Sequence, residues 1–268
     1  MNDGIEFDVN GDGVALLRVN RPTSRNALSW AAQEAFAAAV SAAGRDESIR
    51  VLIITGLGGS FVSGGDLKEL SRHTDAAAGE RLNRVMSAAL AGLAELPYPV
   101  RAAVNGDAVG GGCEILTACD LRLAGAGARF AFRQVQNGLT TGWGGTARLV
   151  DLIGQSRAME LLMTGRAFDA AEAQTLGLIH RVAPPGTDAL EAAYEWAGEL
   201  VELPRRALAA IKVLVRAAAH LPPADANRLE SQLFINLWPS ADHIEAMEAF
   251  VAKRSPRFNQ EPPARPVT

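Results

Sequence analysis

The chain has 268 residues, 48% of them hydrophobic and 21% charged, enough for one large domain or a domain with a smaller appendage. Its formal net charge of −4 predicts no nucleic-acid surface, so an anionic ligand would have to meet a local basic patch. Two cysteines, Cys113 and Cys119, exclude a disulfide framework and predict a cytoplasmic address. No apolar run is long enough to span a bilayer, and Met1 to Gly13 lacks the order of a secretory leader.

Ile5, Phe7 and Val9 alternate with polar residues, as in a strand with one buried face. Gly11-Asp12-Gly13 marks a turn, and Val14 to Val19 reads as the returning strand. An Ala-rich helix is predicted from an N-cap at Ser29 to Ala43, stopping at Gly44. Val51 to Thr55 is a short, β-branched apolar run, hence a buried strand, with glycines following at 56, 58 and 59. A second helix is predicted over Ala76 to Glu95, then a strand over Val100 to Val104 that ends in the Asn105-Gly106 turn. The triplet Gly110-Gly111-Gly112 leads into a predicted helix from Cys113 to Cys119, with a strand at Leu121 to Leu123. Asp169 and Glu172 form a capping-box pattern.

Strand–helix alternation up to about residue 185 predicts an α/β fold. From Asp188 to Ala252 the pattern is helical, and Pro204, Pro222-Pro223 and Pro239 divide it into four helices. The expected organisation is a core over 1–187, a helical region over 188–260 that packs against a neighbouring subunit, and a disordered Pro-rich tail over 261–268.

Two glycine-rich segments each follow a predicted buried strand: Phe61 to Leu67, containing Gly64-Gly65, and Asn105 to Glu114, containing the triplet. Glycine lets backbone approach a ligand closely and leaves N–H groups free to point at an anion. A helix N-terminus after Gly112 adds further orphan donors. Two such donors on one oxygen would form an oxyanion hole, worth about 3–4 kcal/mol per donor. Glu114, directly after the triplet, is the candidate proton-transfer carboxylate; its bland alternative is a carboxylate favoured by the dipole of its own helix.

With these residues on the page, the chain resembles the crotonase (enoyl-CoA hydratase/isomerase) superfamily along nearly its whole length. Asn20 to Leu28 resembles that family's entry motif, Phe61 to Leu67 and Ala103 to Asp120 its two oxyanion segments, and Gly142 to Leu149 its next landmark. The resemblance implies a spiral of ββα turns with a C-terminal helical oligomerisation region that assembles trimers or dimers of trimers. It implies an acyl-CoA substrate and an oxyanion hole made by the N–H groups of Gly65 and Gly111. It assigns Arg25, Ala27, Ser63, Asp66 and Leu67 to the coenzyme A pocket, and Phe234, Phe250 and Lys253 to positions that close over the ligand. Coenzyme A would enter as part of the substrate, with no metal or redox cofactor.

Hydratases of this family use two glutamates. Glu114 matches one, but Gln134 stands where the second is expected. Glutamine cannot exchange a proton as a carboxyl can, which removes a role worth about 10²–10⁴-fold; its amide could still orient water or hold a substrate carboxylate. The segment Gly142-Trp143-Gly144-Gly145 resembles the ethylmalonyl-CoA decarboxylase branch, in which loss of carbon dioxide makes the enolate without a base. The reading is therefore an enoyl-CoA hydratase/isomerase-type lyase. Its alternatives are a malonyl-type decarboxylase or a catalytically inactive acyl-CoA binder.

Other signals carry less. Gly142 to Ala147 fits a loose dinucleotide pattern but follows a polar stretch rather than a buried strand. The four histidines have no metal spacing, and no Gly-x-Ser-x-Gly elbow is present.

Overall fold

The structure is a computed structural model that describes residues 3–259. The tail expected to be disordered, 261–268, lies outside the described residues.

The chain opens with an antiparallel hairpin, β1 (Ile5–Val9) and β2 (Val14–Val19). Helix α1 (Trp30–Arg45) follows, with Ser29 Oγ accepting from Ala32 N at its start. The predicted stop at Gly44 is two residues early. A C-capping glycine works by adopting a left-handed conformation, and Gly44 is not among the glycines with positive φ; the helix runs on to Arg45 and Asp46 caps it in an extended conformation.

A repeating unit then begins. Strand β3 (Val51–Gly56) turns a corner into β4 (Ser60–Val62), followed by the short helix α2 (Leu67–Leu70) and α3 (Ala76–Glu95). Strand β5 (Val100–Val104) turns into β6 (Asp107–Val109) and helix α4 (Gly111–Ala118). Helix α4 starts two residues earlier than predicted, so the glycine triplet supplies its first turn rather than a preceding loop. Strand β7 (Leu121–Ala124) turns into β8 (Arg129–Ala131), then a 3-10 turn at Arg133–Asn137, α5 (Gly145–Ile153) and α6 (Gln155–Thr164). The last turn holds β9 (Phe168–Asp169), α7 (Ala170–Leu176) and β10 (Arg181–Val182).

Each turn of this spiral gives one strand to each of two sheets. The six-stranded sheet has the order β1-β2-β3-β5-β7-β10, and the four-stranded sheet β4-β6-β8-β9. All pairings after the hairpin are parallel except β8 with β9. Strands β3 and β5 are buried at every position, as expected of parallel strands covered on both faces. The second sheet was not predicted: its strands are two or three residues long and carry no readable periodicity.

Two asparagines hold the corner between β3 and β4. Asn26, fully buried, donates Nδ2 to the carbonyls of Leu57 (3.0 Å) and Ser60 (2.7 Å) and accepts from Arg21 N (2.9 Å). Asn105 accepts from Gly56 N (3.1 Å) and donates to the carbonyls of Gly58 (2.6 Å) and Ser60 (3.2 Å). Each side chain satisfies backbone groups that a tight corner leaves without a ladder partner.

The core packs α1 and α3 with the sheets. Phe36, Ala39, Val40 and Ala43 of α1, and Met86, Ala89, Leu90 and Leu93 of α3, are buried at helical spacing.

The chain divides into two compact units between Ala197 and Gly198, within α8 (Ala189–Val201). The second unit contains α9 (Arg205–His220), α10 (Pro223–Leu237) and α11 (Ala241–Ala252). With α8 these are the four helices that the prolines predicted. Asn259 ties this unit together: its N–H donates to Asp242 Oδ1, its Nδ2 to Leu203 O, and its Oδ1 accepts from Arg205 N.

Candidate active site

The two glycine-rich segments meet in the first unit. Leu28 bridges to the first: its N–H donates to Gly64 O (2.8 Å) and its carbonyl accepts from Asp66 N (2.9 Å). That seam brings the segment holding Arg25 and Ala27 alongside the segment holding Ser63, Asp66 and Leu67. Arg25 is solvent-exposed and in the left-handed conformation (φ 53°). Ser63 Oγ donates to Ser24 O (3.4 Å). Asp66 is largely spent on structure: Oδ1 caps α2 through Lys68 N, and Oδ2 pairs with Arg21 (3.5 Å). Arg21, not singled out in the sequence, also donates to Ala27 O. Phe234, Phe250 and Lys253 lie in the helical unit; Phe250 is 82% exposed, and Lys253 ends α11 in a left-handed conformation.

The first glycine segment abuts the second. A β-carbon at Gly64 would lie 3.0 Å from Gly111 N. The N–H groups of Gly65 and Gly111 have no acceptor among the described residues. Gly111 opens α4, so its N–H has no partner within the helix.

Glu114 lies on the same helix and is 2% exposed. Its carboxylate does not serve the N-terminus of its own helix, as the bland reading supposed. It reaches the start of α5. Oε2 accepts from Trp143 N (2.7 Å) and Gly145 N (3.0 Å); Oε1 accepts from Gly142 N (3.2 Å) and Gln134 Nε2 (2.9 Å). A carboxylate has about four lone-pair sites, and four N–H donors meet them here. Gly145 is required for this clamp, because a β-carbon there would run into Glu114 Cγ and Oε2.

The clamp is itself braced. Arg148 Nη2 donates to Trp143 O (2.5 Å) and its Nε to Thr117 Oγ1 (3.3 Å). Gly142 O accepts from Ser87 Oγ (3.1 Å) and from Asn83 Nδ2. The sequence singled out Gly142 to Leu149 as a landmark but not these bracing roles; the backbone carbonyls that accept them carry no residue-type signal.

Gln134 sits in the 3-10 turn. Only an N–H can face the carboxylate, so Nε2 is the atom on Glu114 and the amide orientation follows. Its Oε1 is buried and has no hydrogen-bond partner among the described residues. Neither His73 nor Cys113 hydrogen-bonds to Glu114. His73 is exposed in the turn after α2, edge-on to Trp30 at 6.2 Å. Cys113 is fully buried and its thiol is pushed up to about 12, chiefly by burial.

A ββα spiral with two glycine corners side by side and a clamped carboxylate one turn further along defines the crotonase class of fold. The chain belongs to the enoyl-CoA hydratase/isomerase family, whose sequence model matches residues 10–261. It is 36% identical over 245 residues to the 2,3-dehydroadipyl-CoA hydratase of Escherichia coli, covering 91% of this chain and 94% of that one. It is 33% identical over 250 residues to the mitochondrial enoyl-CoA hydratase of Pongo abelii, covering 92% and 84%. The crystal structure of an enoyl-CoA hydratase from Bacillus anthracis superposes with a TM-score of 0.91 at 31% identity, over 96% of this chain and all of that one.

Proposed function

We propose that the protein is an acyl-CoA lyase that adds water reversibly to the double bond of an enoyl-CoA thioester. The observation that carries this is the pair of unengaged N–H groups, Gly65 and Gly111, beside a buried carboxylate on the helix that Gly111 begins. The thioester oxygen would accept from both N–H groups. As water attacks C3, charge moves onto that oxygen, where fixed donors stabilise it most. Glu114 takes the proton that water releases and returns it to C2 of the enolate, so one carboxylate serves both steps. Gln134, with Nε2 held on Glu114, offers its buried Oε1 to an O–H of the water.

A second reading rests on a specific observation: a glutamine faces Glu114 instead of a second carboxylate. A malonyl-type thioester would lose carbon dioxide, leaving its bonding electrons in the enolate held by Gly65 and Gly111, and C2 would then take a proton by way of Glu114. Assay of the purified protein with crotonyl-CoA, methylmalonyl-CoA and ethylmalonyl-CoA separates the two. Hydration of crotonyl-CoA supports the first reading, and carbon dioxide release without hydration replaces it with the second. Binding with neither reaction would mean an inactive acyl-CoA binder.

The expected assembly is a homotrimer or a dimer of trimers. Support comes from the exposed apolar side chains of the helical unit, including Phe234, Trp238, Phe250 and Val251, a density of exposed apolar surface typical of an interface. Light scattering that returned the mass of a single chain at micromolar concentration would refute it.

A further inference from the structure

We propose that Trp143 sets which acyl groups the site accepts, admitting unbranched acyl chains and rejecting bulk at C2 to C4. The inference rests on the hydration reading above; the malonyl-type substrates of the second reading carry a substituent at C2 and would not fit it. Trp143 joins the two working parts of the site. Its own N–H holds Glu114 Oε2 at 2.7 Å, while its ring reaches back to the oxyanion corner. A β-carbon on Gly111 would overlap Cζ3 and Cη2, the outer edge of the indole.

A thioester whose oxygen sits on Gly65 and Gly111 must bring C2 and C3 towards Glu114 for a proton to move. That stretch of the acyl chain runs beside residue 143. Any substituent on it competes with the indole for volume.

The ring has little freedom to yield. It is 4% exposed, and its backbone is held from three sides: the carbonyl by Arg148, the N–H by Glu114, and the neighbouring Gly142 carbonyl by Ser87 and Asn83. Packed interiors tolerate added volume poorly. Removing the indole would open space next to the oxyanion corner and leave the backbone clamp on Glu114 in place, since that clamp uses N–H groups alone.

The alternative is that Trp143 only fills the core, in which case its removal would lower stability and leave acyl preference unchanged. The test measures binding rather than turnover. Titration calorimetry with butyryl-CoA, 2-methylbutyryl-CoA and 3-methylbutyryl-CoA is run on the wild-type chain, Trp143→Ala and Trp143→Phe, with melting curves to confirm folding. Wild type should favour butyryl-CoA. Trp143→Ala should raise the affinity ratio of branched to unbranched thioester by about tenfold or more, the usual effect of a methylene in a tight apolar pocket, and Trp143→Phe should give a smaller rise. An unchanged ratio in folded Trp143→Ala overturns the proposal; if that variant does not fold, an unchanged ratio in Trp143→Phe does so. Failure of wild type to bind any of the three overturns the acyl-thioester reading itself, and this inference with it.

Discussion

Glu114 takes four N–H donors and so has the largest share of the site's hydrogen bonding on one side chain. Glu114→Gln keeps the shape but replaces one acceptor oxygen with an NH₂ group facing backbone donors. Turnover should fall by about 10²–10⁴-fold, with acyl-CoA affinity retained; unchanged turnover would remove Glu114 from the mechanism. Gln134→Glu puts a second carboxyl where an amide now donates at 2.9 Å. Two carboxylates that close share a proton rather than both ionising, so a pH–rate profile should gain a limb that wild type lacks. A superimposable profile would show that residue 134 does not act on Glu114. Gly111→Ala should collide with the indole of Trp143 and lower the melting temperature. Adding Trp143→Ala should restore much of the loss, and strictly additive losses would disprove the overlap. The candidate site residues stood out in the sequence because glycine runs and a carboxylate announce themselves by type. The donors on Glu114 were not, because three of them are backbone groups contributed from about thirty positions further on.

Among the elements, those readable in advance were the ones whose side chains record their environment. Strands β3 and β5 are buried on both faces and read as continuous apolar runs. Helix α3 matched its predicted span because Met86, Leu90 and Leu93 keep helical spacing and Asp75 caps its first turn through Ala78 N. The four-stranded sheet was hidden, since β4, β6 and β8 are three residues each and exist because successive turns of the spiral stack. The box at α7 formed by half: Asp169 accepts from Glu172 N, whereas the Glu172 carboxylate pairs with Arg166 instead of returning to the cap. Asp169→Ala should therefore cost about 1 kcal/mol, read as a shift in the urea midpoint, and Glu172→Gln appreciably less because its ion pair is exposed. Equal losses would mean that the reciprocal box does form in solution.

On the scale of the whole molecule, a cationic cluster joins distant parts of the first unit. Arg101 and Arg181 both lie over the Trp196 ring at 4.1 Å, and Arg101 donates to Ala193 O (2.7 Å). His180 sits among them, its Nδ1 accepting from Arg122 N. Loss of solvent around the ring, then the charges of Arg122, Arg101 and Arg181, hold its pKa down from 6.5 to about 4. Between those values the unfolded chain binds a proton that the folded chain refuses, so stability falls as pH drops through this window and changes no further from this group below it. Urea titrations at several pH values should show a shallower decline for His180→Gln than for wild type; parallel declines would show that His180 is not the titrating group.

The sequence by itself determined the α/β class, the four terminal helices, the two glycine-rich segments and Glu114 as a candidate, all of which follow from residue type and local spacing, which a chain carries without folding. The departure at Gln134 showed only through the resemblance to the family. Only the tertiary structure decided that Gln134 points its amide nitrogen at Glu114, that the loop entering α5 and the first residue of α5 present three N–H groups to that carboxylate, and that Trp143 presses on Gly111. Each is a contact between segments 20 to 32 residues apart. Such contacts arise from the pitch of the spiral, which brings the end of one turn against the beginning of the next, and no local pattern in the chain encodes that distance.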